Sequence, residues 1–85
     1  MFSVYLIKSQ KDESIYIGCT SDIKKRITEH NQGKSFHTKK LMQWKLIYME
    51  CFISKKDAFS REASLKLHAQ GLRRLKERLR NTLMV

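Results

Sequence analysis

Five side chains, Tyr5, Tyr16, Arg26, His30 and Glu62, are of types that could share one reaction. A carboxylate can hold a divalent cation on a phosphate oxygen. An arginine can neutralise charge growing on the phosphorane, and a base can take a proton from water. Metal-assisted cleavage of a phosphodiester needs that set. Phosphate is a poor electrophile while its charge is uncompensated, so the arginine and the metal should matter most. A phenol, with a reference pKa of about 10, is a base at neutral pH only where nearby positive charge favours phenolate. Tyr5, Tyr16 and His30 therefore all stand open as the proton acceptor.

The elements that must position these groups can be read along the chain. Phe2 to Ile7 and Ile15 to Cys19 are β-branched and aromatic runs joined by the polar segment Lys8 to Ser14, the pattern of an antiparallel hairpin turning near Gln10 to Glu13. Tyr5 and Tyr16 then lie close, and share a face only in the right register. Thr20-Ser21-Asp22 offers N-cap chemistry, Ile23 and Ile27 follow helical spacing towards the sheet, and Gly33 suits the helix end. Arg26 and His30, four apart, stack on an adjoining stripe.

Lys34 to Met42, containing Phe36, His37 and Thr38, reads as a loop or short irregular helix. Trp44 to Ile53 is apolar on both faces, as a well-covered strand should be, with Trp44 and Tyr48 in the core. Ser54-Lys55-Lys56-Asp57 resembles a capping box, and the helix after it aligns Ala58, Phe59, Glu62, Leu65 and Ala69 on one stripe. A carboxylate on that stripe needs an answering cation, metal or donor. An ion pair with Arg26 or Arg61 is the structural answer and a metal the functional one. Gly71 interrupts the pattern. Leu72, Leu75, Leu79 and Leu83 define a further helix, whose opposite side carries Arg73, Arg74, Lys76, Arg78 and Arg80.

A chain of 85 residues suits one domain, residues 1–85, with a modest core. Its net charge of +10 is uneven: residues 1–33 hold five Lys/Arg against four Asp/Glu, and residues 34–85 thirteen against four. The surplus of nine cations in the second part suits a polyanion, or else a solvated basic surface. No apolar run approaches the roughly 20 residues of a membrane span, and no secretory signal is expected. Cys19 and Cys51 read as reduced, partly buried thiols of a cytoplasmic protein.

The ordered set of motifs resembles the GIY-YIG nuclease superfamily, most closely small stand-alone members related to the nuclease domain of excinuclease. Ser3-Val4-Tyr5 and Tyr16-Ile17-Gly18 are the namesake triplets. Arg26 to Asn31 is similar to an Arg-xxx-His-Asn signature, Thr38 and Trp44 to Tyr48 to the central stretch, and Arg61-Glu62 to the segment carrying a metal-binding glutamate. Ser3 and Cys19 depart from a glycine and a lysine, and Thr82 stands after Asn81 instead of proline.

The resemblance implies an α+β fold, a three-stranded antiparallel sheet flanked by helices, with a hydrolytic site on one sheet face. It implies one divalent metal on Glu62, Mg2+ with Mn2+ as the alternative, and Arg26 on the scissile phosphate. Tyr5 would activate water, Tyr16 would orient it or the phosphate, and His30 would be a base or a tyrosine's partner. Lys39, Lys40, Lys66, Arg73, Arg74 and Asn81 are expected along nucleic acid, DNA rather than RNA. The expected activity is structure-selective cleavage of DNA in repair or recombination. The alternatives are a nucleic-acid-binding module with little turnover, and an adaptor for an acidic protein using the Arg73 to Arg80 face.

Overall fold

The computed structural model describes residues 1–84. Strands β1 (Phe2–Ser9) and β2 (Ile15–Thr20) lead to helix α1 (Ile23–Asn31), a 3-10 turn (Lys39–Leu41) and strand β3 (Trp44–Phe52). Helices α2 (Lys55–Leu67), α3 (Ala69–Arg78) and α4 (Arg80–Leu83) follow. The three strands form one antiparallel sheet in the order β2-β1-β3, the architecture expected from the sequence.

The hairpin register decides what the two tyrosines can do. Tyr5 lies opposite Gly18 and Ile7 opposite Tyr16, so Tyr5, Ile7 and Tyr16 point to the same side. There they meet Trp44 and the Ile23 and Ile27 side chains of α1. The alternate residues Val4, Leu6 and Ile17 point to the other side, where Ala58 and Leu65 of α2 and Leu75 of α3 cover them. β1 is therefore buried on both faces. The strand read from sequence as the well-covered one, Trp44 to Ile53, is instead an edge strand ending at Phe52. Its Lys45, Met49 and Cys51 lie in solvent, so Cys51 is not the partly buried thiol expected. β3 pairs only with β1, and helices cover it less completely than the central strand.

Local chemistry fixes the connections. The buried Ser9 hydroxyl accepts from the Lys11 and Asp12 amides and donates to the Leu41 carbonyl at 2.7 Å, tying the hairpin turn to the 3-10 turn. Asp22 caps α1 by accepting from the Lys25 amide, and Gly33 takes φ 74° just beyond its end, a backbone conformation glycine adopts without a Cβ penalty. Ser54 caps α2 by accepting from the Asp57 amide.

Three details of the C-terminal half differ from expectation. The helix break falls at His68, in extended backbone, and Gly71 sits inside α3. Ala69 belongs to α3, and its side chain lies outside the described ones. The leucine-patterned helix is divided at Leu79 into α3 and α4. Phe59 is half exposed, with the Lys55 ammonium 5.4 Å from its ring centre, so it leaves the buried stripe.

Candidate active site

Tyr5 forms the floor of the site. Its ring crosses to β2 over Gly18, where an added Cβ would overlap the phenol itself. The glycine of the second triplet is thus a requirement of the tyrosine in the first. The Tyr5 Oη lies 2.8 Å from His30 Nε2, and His30 Nδ1 lies 2.7 Å from Thr38 Oγ1. Tyr16 meets the same imidazole edge-on, with ring centres 5.3 Å apart, and Trp44 at 6.3 Å. Periodicity along α1 thus delivers His30 to both phenols.

Arg26, one turn earlier, stands beside the Tyr5 phenol. It donates to Glu29 Oε1 at 3.2 Å and reaches Ser35 Oγ at 3.5 Å. Burial pushes the Tyr5 pKa up to about 12, against the lowering effect of the Arg26 guanidinium, and the charges of Tyr16 and Glu62 add to the rise. Burial also holds His30 below the ordinary imidazole range, Arg26 pushes it further down, and Glu29 opposes. At neutral pH the two groups therefore meet as neutral phenol and neutral imidazole. In one arrangement Tyr5 donates to Nε2 and Nδ1–H donates to Thr38. In the other Thr38 donates to Nδ1 and Nε2–H donates to Tyr5, which leaves the phenol proton for a substrate.

Glu62 reaches this cluster from an unexpected direction. Helix α2 crosses the opposite sheet face from the tyrosines, and Glu62 acts around the β2 side. Its charge is felt at both the Tyr5 phenol and the Cys19 thiol. Neither anticipated ion pair forms: Arg61 instead makes a forked pair with Glu50, at 2.9 Å from Nη2 and 3.1 Å from Nε. Glu62 is answered by Lys66, one turn on, at 2.8 Å. That ammonium also stands 5.9 Å from the Tyr16 ring centre.

The Lys66 ammonium marks a place where a cation is held between carboxylate and phenol. No group of three His, Cys, Asp or Glu converges among the described residues, so there is no cage of the kind zinc uses. One carboxylate suits a hard cation that keeps water and phosphate as its other ligands. The donor set fits Mg2+ or Mn2+ on Glu62, with Lys66 turning aside.

The remaining expected contacts are distributed differently. Lys39 and Lys40 lie exposed on the 3-10 turn that adjoins Thr38. Arg73 and Arg74 are exposed on α3. Arg74, with Arg61 and Arg78, lines a separate cavity of about 320 Å³ between α2 and α3. Asn81 is exposed on α4, which is joined to β1 by the Lys8 ammonium donating to the Leu83 carbonyl. Its side chain makes no hydrogen bond among the described residues, and it is not part of the phenol–imidazole cluster.

Sequence reasoning gave no role to Ser35, Thr38 or Asn31. The first two hold Arg26 and His30. The Asn31 amide brackets the start of β3, donating to the Trp44 carbonyl at 2.9 Å and accepting from its amide at 2.6 Å. Trp44 Nε1–H in turn donates to the Thr38 carbonyl at 2.8 Å. The available signal was a pair of small hydroxyl residues in a loop that follows a His-Asn dipeptide.

His30 makes the fold pH-sensitive. A group whose folded pKa lies below its unfolded value binds protons more readily in the unfolded chain. Stability is then complete above the ordinary value of 6.5 and declines as pH falls below it. His30→Gln should flatten that decline, and melting temperatures taken on both sides of pH 6.5 for the two proteins check it. Equal slopes would contradict it.

Residues 1–77 match the family model described as the GIY-YIG catalytic domain. The chain belongs to that nuclease family. Within it, the chain is similar to small proteins called UPF0213. One, from Staphylococcus haemolyticus, is 40% identical over 78 residues, covering 88% of this chain and 94% of the relative. Another, from Haloquadratum walsbyi, is 35% identical over 68 residues, covering 79% and 75%. The solution NMR structure of a UPF0213 protein from Bacillus halodurans is similar with a TM-score of 0.55 at 32% identity, over 95% of this chain and 84% of that one.

Proposed function

We propose that residues 1–85 act as one metal-dependent endonuclease domain, cleaving phosphodiester bonds in DNA with preference for branched or flapped structures in repair or recombination. The observation that carries this reading is the meeting of Tyr5, His30 and Arg26 around one phenol oxygen, with the Glu62 charge reaching the same place. A divalent cation on Glu62, when bound, supplies positive charge to a phosphate oxygen and acidifies water.

The protein's own groups supply the rest. Arg26, held by Glu29 and Ser35, neutralises charge on the scissile phosphate. Tyr5 accepts the proton of the attacking water at its Oη, with His30 Nε2–H donating to that oxygen as it becomes negative. Thr38 holds the required tautomer from the other side by donating to Nδ1. Tyr16, packed edge-on to His30, orients water or phosphate. No helix among the described residues is long and apolar enough to cross a membrane, and a cytoplasmic setting with nucleic acid as partner suits the charge.

A second reading is a nucleic-acid-binding module with little turnover. It is favoured by the Tyr5 phenol, whose pKa of about 12 leaves it protonated in the free protein, and by a thiol at Cys19 where a lysine is expected. The deciding experiment is a cleavage screen over duplex, flapped and branched DNA, with RNA counterparts, with and without Mg2+ or Mn2+. Metal-stimulated nicking of branched DNA supports the enzyme. Salt-dependent binding without nicking supports the module.

A further inference from the structure

The loop between α1 and β3 is fastened on both sides of a residue that is itself left out. Ser35 and Thr38 are buried and occupied with Arg26 and His30. The Thr38 and Lys39 amides donate back to the Ser35 carbonyl at 3.2 and 3.0 Å. Between these anchors Phe36 is 77% exposed. A phenylalanine left in water gains nothing from apolar burial, and this one is not on a trailing end but on a pinned turn beside the site.

The surroundings are cationic. Lys39 Nζ lies 5.1 Å from the Phe36 ring centre, His37 packs edge-on at 5.6 Å, and Lys40 is exposed beside them. Residues 34–42 contain three lysines and no carboxylate. An exposed ring set among cations suits a ligand that is flat and apolar on its faces and anionic along its length, which describes a nucleobase on its phosphate strand. An apolar peptide would find no use for the charges, and an acidic one no use for the ring.

We propose that Phe36 is a stacking platform for an unpaired nucleobase adjacent to the scissile phosphate. Ser35, the preceding residue, holds the guanidinium that meets that phosphate, so ring and phosphate contact are linked through one short piece of backbone. A base within a duplex is already stacked on both sides, whereas a splayed base gains a partner. Phe36 would therefore supply the preference for flapped or branched strands. The proposal rests on the nuclease reading for its phosphate contact but not on turnover.

The test is binding in EDTA, where metal-dependent cleavage is off. The probe is a DNA flap carrying 2-aminopurine at the unpaired position, compared with the fully paired duplex and with an RNA flap. Wild-type protein should quench the flap fluorophore. Phe36→Ala and Phe36→Leu should weaken flap binding by about five- to a hundredfold and duplex binding by less than about twofold. Phe36→Trp should restore both affinity and quenching.

Because the ring buries little, the variants should melt as wild type does. Equal weakening on flap and duplex, full rescue by leucine, or an indifferent Phe36→Ala would each overturn the stacking proposal while leaving the nuclease reading in place. A wild-type protein that binds none of the oligonucleotides would overturn both. Comparison of the DNA and RNA flaps then separates the two sources of the base, and quenching by either supports the platform.

Discussion

Glu62→Gln should abolish metal-stimulated cleavage, with a loss of at least about a hundredfold, while the protein stays folded. The amide keeps the size and one oxygen of the carboxylate but not its charge, and a hard divalent cation bound by one protein group depends on that charge. Several kcal/mol of transition-state stabilisation depend on the cation, so the effect on rate is large. The effect on stability is small, because the carboxylate's visible partner is Lys66, one helical turn away and 45% exposed in its side chain. Such a pair contributes about 0.5 kcal/mol or less.

Two measurements distinguish loss of the cation from general damage. Mg2+ should raise the melting temperature of the wild type, since it binds only the folded protein, and should leave Glu62→Gln unmoved. Lys66→Ala should show a larger metal-induced rise than wild type, because the ammonium at 2.8 Å competes for the same oxygen. Cleavage retained by Glu62→Gln after careful purification would refute the assignment of Glu62.

The same residue shows what sequence could and could not convey. Its place on a half-buried stripe followed from spacing along one helix, and burial to 22% of the side chain agrees. Its partner did not follow, because Arg61, adjacent in sequence, points about 100° around the helix and finds Glu50 on β3. Nor did the sheet face, since an α2 that packs on Val4 and Leu6 looks the same in sequence as one that packs on Tyr5 and Ile7.

Features set by neighbouring residues were legible: the hairpin and its turn, the Asp22 cap, the Gly33 terminus, and the alignment of Arg26 with His30. The tyrosine pair was half legible, because alternation limits Tyr5 and Tyr16 to a shared face or opposite faces and only the register with Gly18 chooses. The loop from Lys34 to Met42 was the least legible. Its two useful hydroxyls are buried by contacts with α1 and β3, and nothing in a run of lysines and small polar residues shows which of them will turn inward.

Arg26→Ala should lower cleavage by about a hundred- to a thousandfold, the loss typical of removing one preorganised donor to a developing negative charge. Arg26→Lys should recover only part of it. An ammonium restores the charge as a point, whereas the guanidinium is a planar fork, here already bound at Glu29 and Ser35 with the Tyr5 phenol beside it. A reading independent of turnover comes from the neighbours. The guanidinium lowers the pKa of both Tyr5 and His30, so its removal should raise both. The His30 ring protons, followed by NMR across pH, should then titrate closer to the ordinary 6.5 in Arg26→Ala than in wild type. Because a higher Tyr5 pKa also makes the phenolate rarer at a given pH, the variant's residual cleavage should be displaced to more alkaline conditions. An unchanged His30 titration would show that Arg26 does not govern the phenol–imidazole pair in solution, and normal cleavage by Arg26→Ala would remove the guanidinium from the reaction altogether.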